Sequence, residues 1–184
     1  MLAMRLIRLR RLLRVAPLIV GAGALSAQVT PPADVPEALR APAGERLVLR
    51  AHAQGAQIYV CAAATDGQPK WTLKAPDAEL RDERGALIGH HFAGPTWTYR
   101  DGSEVTGKAV ARVDSPSPDS VPWLLVTAVS HSGHGVLERV TGIQRIHTHG
   151  GQPPAAAQCD ASRENAQARS PYSADYYFYA PAGN

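Results

Sequence analysis

No acidic side chain precedes Asp34, whereas Arg5, Arg8, Arg10, Arg11 and Arg14 crowd the start of the chain. The apolar run that follows, "VAPLIVGAGAL" from Val15 to Leu25, falls short of the about 20 residues that a membrane-spanning helix needs. A basic opening, a short apolar block and the small-residue stretch "LSAQ" together read as a secretory signal peptide over residues 1–27. Cleavage is expected after Ala27, with Ala24 the alternative, and the absence of a cysteine near the cut argues against a lipoprotein anchor. The expectation is an exported protein, periplasmic or secreted, with no membrane span once the signal is removed.

Cysteine is scarce too. Cys61 and Cys159 are the two in the chain, and no Cys-x-x-Cys or Cys-x-x-His spacing surrounds either. That removes the usual signature of a structural zinc site. In an exported chain an even count argues for one disulfide between them.

Basic clusters are missing from the rest of the sequence. Loss of the five leader arginines takes 19 basic residues to 14 against 16 acidic, and the formal charge from +3 to −2. A weakly acidic domain lacks the positive field that binding to a phosphate backbone requires, so nucleic acid is excluded as a partner.

Long segments of helical periodicity are absent as well. What is present are short apolar or alternating stretches such as "RLVLRAHA", "QIYVCAA", "ALIGHHF", "TWTYRD", "PWLLVTAVS" and "ADYYFYA". Turn clusters such as "TDGQP", "RDERG", "DGSE" and "HSGHG" separate them. The spacing predicts an all-β chain: an antiparallel β-sandwich or jelly-roll-like barrel of about eight to ten strands with one disulfide. Residues 28–45, with "TPPADVPEALRAP", read as an extended N-terminal arm because proline cannot join a ladder, and residues 46–184 read as a single β domain. The polar run "DASRENAQARS" before the last strand suggests one short helical turn.

The blocks "QIYVC", "GHHFAGPTW" with "DGS" behind it, "VPWLL", "VTGIQRI", "CD" and "YSADYYFY" carry a resemblance across nearly the whole chain after the leader. In order and spacing the sequence resembles the exported bacterial and fungal family catalogued as domain of unknown function 3455 (DUF3455). The resemblance implies export, one domain and the Cys61 to Cys159 pair, and implies no reaction or cofactor. Some members carry a dehydrogenase label, but no Gly-x-Gly-x-x-Gly opens a helix after a strand here. His91 falls where the family motif has histidine, whereas His147 and His149 fall where other residue types are usual.

Two readings of "GHHFAGPTW" compete. On a regular strand Ile88, His90 and Phe92 share one face and Leu87, Gly89 and His91 the other. In the structural reading Trp97 is a core residue and His91 is buried and hydrogen-bonded to a backbone carbonyl. In the functional reading His91, Trp97, Tyr99, Asp101 and Ser103 line a pocket, the aromatic rings forming a flat platform for a sugar or another small polar ligand. Gly89 beside His91 leaves room for a ligand or for another backbone.

Catalytic signatures are sparse: there is no Gly-x-Ser-x-Gly elbow and no His-Glu-x-x-His helix. The weak metal candidates are His91, His147 and His149; the last two share a face if their strand is regular. At the C-terminus "YSADYYFY" sets Asp175, Tyr177 and Tyr179 on one face and Ala174, Tyr176 and Phe178 on the other. The leading expectation is therefore an exported binding module for a carbohydrate or other small polar envelope ligand. A metal-dependent enzyme using His91 is the alternative, and a structural envelope protein the second alternative.

Overall fold

Alternating side chains, turn residues at short intervals and the scarcity of helix-forming stretches leave the chain one economical solution, a sheet with an apolar face turned on itself. The computed structural model describes residues 30–65 and 67–183. The leader expected over residues 1–27 lies outside them. Eight strands follow in order: β1 (Glu45–Ala63), β2 (Pro69–Arg81), β3 (Leu87–Phe92), β4 (Thr96–Tyr99), β5 (Glu104–Val113), β6 (Trp123–Ser132), β7 (Gly142–Gly150) and β8 (Gln167–Pro181). Each pairs antiparallel with its sequence neighbour, and β8 returns to pair with β1, so a single sheet closes into a barrel. The antiparallel all-β class and the disulfide expected from the sequence are what the chain forms, with next-neighbour connections in place of jelly-roll crossings.

The interior is apolar and aromatic. Ala51, Ala53, Leu80, Ile88, Trp97, Val105, Tyr176 and Phe178 belong to its buried cluster. Trp97 packs edge-on against both Tyr176 (ring centroids 5.6 Å) and Phe178 (6.3 Å). The two faces expected for the last strand hold: Ala174, Tyr176 and Phe178 point inward, while Tyr177 and Tyr179 join a second cluster on the outer face. Elsewhere the outer surface of the strands carries exposed charge, as at Asp77, Arg112 and Arg169, which is the reverse of a lipid-facing barrel. Among the described residues no helix is long and apolar enough to cross a membrane.

The N-terminal arm is more than an extended segment. A 3-10 turn at Glu37–Leu39 drives Leu39 to zero exposure against Trp123, Ile146, Tyr177 and Tyr179. The Gln144 amide nitrogen donates to the Leu39 carbonyl at 2.6 Å, so the arm caps an apolar outer face that would otherwise meet water.

The two ends of the barrel differ. At one end the β6–β7 connection folds inward and contributes Leu137 and Val140, both with zero exposure, to the interior cluster. At the other end Cys61, in β1, is bonded to Cys159 in the β7–β8 connection. The short turn expected between Cys159 and the last strand is a 3-10 turn at Ala161–Arg163, with the Asp160 side chain accepting from the Ser162 amide.

Candidate binding cavity

The wall of the barrel is uneven in height. β3 and β4 are short, and the register shows the result. β2 pairs with β3 through residues 78 to 81 alone, although it runs back to Pro69. Similarly, β5 pairs with β4 only over Glu104 to Thr106, although it runs on to Val113. The Gly94–Pro95 turn therefore sits at the floor of a notch between the free edges of β2 and β5.

Behind the notch lies a cavity of about 240 Å³, on the disulfide side of the barrel. All eight strands border it, and its back wall includes His91, Trp97, Val126 and Tyr176. An adjoining recess, about 460 Å³, runs outward between Leu73 on β2 and Val110 on β5. Both of these rim side chains are exposed apolar groups. Gln57 and Arg145 border the inner cavity and the outer recess alike, which places them at the junction of the two.

His91 and Trp97 are held as a pair. Their strands place them opposite one another, and the rings stack with centroids 4.4 Å apart and planes within 7°. Gly107 makes room for this, because a Cβ there would meet Trp97 Cζ3 at 3.2 Å and Val126 Cγ1 at 2.4 Å. Gly89 serves the neighbouring contact, since a Cβ there would lie 2.0 Å from the Thr98 carbonyl oxygen. The space beside His91 is thus taken by backbone. His91 Nδ1 lies 2.9 Å from the Thr96 carbonyl oxygen, which can only accept, so Nδ1 carries the proton and donates. Burial pushes the His91 pKa down to about 3, the Thr96 carbonyl opposing and the Arg145 cation adding to the shift. The ring is neutral at physiological pH, with Nε2 unprotonated.

The remaining expected pocket residues do other work. Trp97 is 1% exposed and one of its faces is covered by His91, so no open aromatic platform forms with Tyr99. Tyr99 is half-buried with the Arg100 guanidinium over its ring. Asp101 and Ser103 lie at the opposite end of the barrel. Asp101 Oδ2 accepts from the Val136 amide at 2.8 Å and Ser103 Oγ accepts from the Leu137 amide at 3.1 Å. These two side chains anchor the loop that plugs the closed end.

The histidines are dispersed. His91 is inside, His90 is exposed on the outer face, and Ile88 is buried inward, contrary to simple alternation, because a bulge displaces the β2–β3 register at Leu80/Arg81. His147 and His149 do not share a face: the β7–β8 register shifts between Ile146 and His149, and His147 takes φ 50°. His147 instead joins two carboxylates, with Nδ1 3.0 Å from Asp175 Oδ2 and Nε2 3.1 Å from Asp34 Oδ2. Asp175 also meets His52 Nδ1 at 2.9 Å and Arg50 at 3.4 Å. Among the described residues no group of three or more His, Cys, Asp and Glu is arranged to hold a metal ion.

Two groups that the sequence reading did not select dominate the polar character of the cavity. Gln57 is 1% exposed, yet neither its amide nitrogen nor its amide oxygen has a hydrogen-bond partner within the chain. Arg145, on β7, reaches inward and gives Nε and Nη2 to the Pro122 carbonyl at 3.2 and 2.8 Å. No carboxylate among the described residues lies within ion-pair distance of it. A glutamine in mid-strand and an arginine in "GIQRIHT" carry no local signal; their pairing across the cavity is set by barrel closure.

Fold and site define an eight-stranded antiparallel meander barrel, plugged at one end and open through a notch in its wall near the other. Residues 42–180 match the family model described as protein of unknown function (DUF3455), and the chain belongs to that family. No curated protein and no solved structure matches it.

Proposed function

We propose that this protein is an exported binding module that takes up a small, mainly apolar molecule in the barrel cavity, through the notch between β2 and β5. The observation that carries the reading is the unpartnered Gln57 amide at the cavity mouth. A buried amide with neither donor nor acceptor satisfied costs about 1–3 kcal/mol, and a bound ligand would supply the missing partner. The cavity size fits such a role: a dry apolar cavity of about 150 Å³ already takes up benzene, and this one holds about 240 Å³. The exposed apolar side chains Leu73 and Val110 flank the entrance. The lining favours an apolar body over the sugar expected from the sequence, because the one tryptophan in the wall is already stacked on His91. Export is supported by the arginine-rich leader pattern and by the disulfide, a bond that persists in oxidising compartments.

The test is a fluorescence titration with the neutral probe N-phenyl-1-naphthylamine. Saturable one-to-one binding is expected for the native chain and its loss in Ala109→Trp, where the new side chain fills the mouth. Binding that survives Ala109→Trp in a folded variant, or no binding by the native chain, contradicts the proposal.

A further inference from the structure

We infer that the ligand carries a carboxylate, which is received by the Arg145 guanidinium together with the Gln57 amide. The inference rests on the reading of the cavity as a ligand site and names the chemistry of its occupant.

Arg145 is a permanent cation directed into a mostly apolar cavity, and the chain provides no acidic side chain to neutralise it. An arginine so placed is ordinarily compensated by an anion. The Pro122 carbonyl takes Nε and one N–H of Nη2, and the guanidinium also hydrogen-bonds the Tyr172 and Tyr176 hydroxyls, so at least one of its five N–H groups is left without a partner in the chain. One N–H of each terminal nitrogen lies on the Nη1–Nη2 edge, a fork that matches the two oxygens of a carboxylate, which would displace or share the tyrosine contacts there. Its charge reaches well into the interior: it depresses His91 further and opposes the upward push of burial on Tyr172 and Tyr176. His91, held neutral, adds no second positive charge. Gln57, bordering the same two spaces, offers an amide N–H2 with no partner in the chain.

The layout gives the ligand a direction. The apolar body enters the inner cavity against Trp97, Val126 and Tyr176, and the carboxylate stays at the junction where Arg145 and Gln57 stand. Lys74, exposed on the β2 edge of the cavity, adds positive charge at the entrance. One half-buried guanidinium and one neutral amide suit a single planar anion better than a phosphate dianion, which is usually held by several cations or a nest of backbone amides.

The experiment is calorimetric titration of the native chain and of Arg145→Met with matched pairs differing in charge alone: benzoate and benzamide, 2-naphthoate and 2-naphthamide, octanoate and octanamide. N-phenyl-1-naphthylamine serves as the neutral reference. The expected result is tighter binding of at least one carboxylate over its amide by about tenfold to a hundredfold, with the difference abolished in an Arg145→Met variant that still unfolds cooperatively in urea. Equal affinities within every pair, or binding of the neutral probe without any carboxylate, would overturn the carboxylate assignment and leave the cavity reading standing. Failure of every compound, the neutral probe included, would overturn both.

Discussion

His91 lies flat against Trp97, ring planes within 7° and centroids 4.4 Å apart, and the pair forms part of the back wall of a cavity bordered by all eight strands. Burial behind that stack keeps the histidine neutral. Aromatic pairs of this kind contribute about 0.5–1.5 kcal/mol beyond the area they bury.

A pH dependence follows from the buried histidine. The folded-state pKa of His91, about 3, is below its unfolded value, so the unfolded chain takes up the proton first as pH falls. Its stabilising contribution is present above about pH 6.5 and is lost progressively between there and pH 3, at up to about 1.4 kcal/mol per pH unit. Urea unfolding at pH 7 and pH 5 should show the native chain losing about 2 kcal/mol more than His91→Gln over that interval. Parallel losses in the two proteins would contradict the account of His91.

The plug at the closed end depends on two side chains far from the cavity. In Asp101→Ala the Val136 amide loses its acceptor, and the stability cost should be about 1–3 kcal/mol. Hydrogen exchange is the sharper readout, with faster exchange expected at Val136 and Leu137 and unchanged protection at His91 and Trp97. Uniform acceleration throughout the barrel would show that Asp101 supports the whole fold instead of the plug.

Much of this was legible in the chain, and the limits have physical causes. The faces of β8 and the Cys61–Cys159 pair could be read because strand alternation and an even cysteine count are local or compositional signals. A regular strand would set His147 and His149 on one face, but a register shift and a positive φ at His147 break the period of two. Asp101 and Ser103 follow Trp97 closely in sequence, but β4 carries the chain to the opposite end of the barrel before it turns, where both side chains hold the plug. Gln57 and Arg145 were missed because only closure of β8 onto β1 brings their strands around a common cavity.

The disulfide joins residues 98 apart, tying β1 to the β7–β8 connection at the open end. Loop entropy assigns it about 4 to 5 kcal/mol. The double variant Cys61→Ser/Cys159→Ser should unfold at markedly lower urea concentration than the native chain, and a midpoint unchanged within error would show that the barrel does not need the link.

The arm is fastened by a titratable contact. Burial of His147 works against its charge, but hydrogen bonds to Asp175 and Asp34 outweigh it, and its pKa is raised. That contribution is complete below the unfolded value of about 6.5 and is lost as pH rises through the raised folded value. Asp175 behaves oppositely: burial pushes up, the bonds from His52 and His147 outweigh it, and its contribution is lost only as pH falls through its lowered folded value. Arg50 and Trp123 complete the surroundings, the latter edge-on to His147 at 5.3 Å. Trp123 fluorescence should therefore follow His147 with a midpoint above 6.5, displaced downward in Asp34→Asn. An identical midpoint in that variant would remove Asp34 from the contact.

The central claim is that a ligand enters the barrel and meets Trp97. The direct measurement is energy transfer in Trp71→Phe/Trp123→Phe, which keeps Trp97 as its tryptophan, titrated with N-phenyl-1-naphthylamine. The account predicts near-complete quenching of Trp97 emission at one probe per chain, lost in the added Ala109→Trp background once the new tryptophan's own emission is subtracted. Probe binding that leaves Trp97 unquenched, or no binding at all, would contradict it.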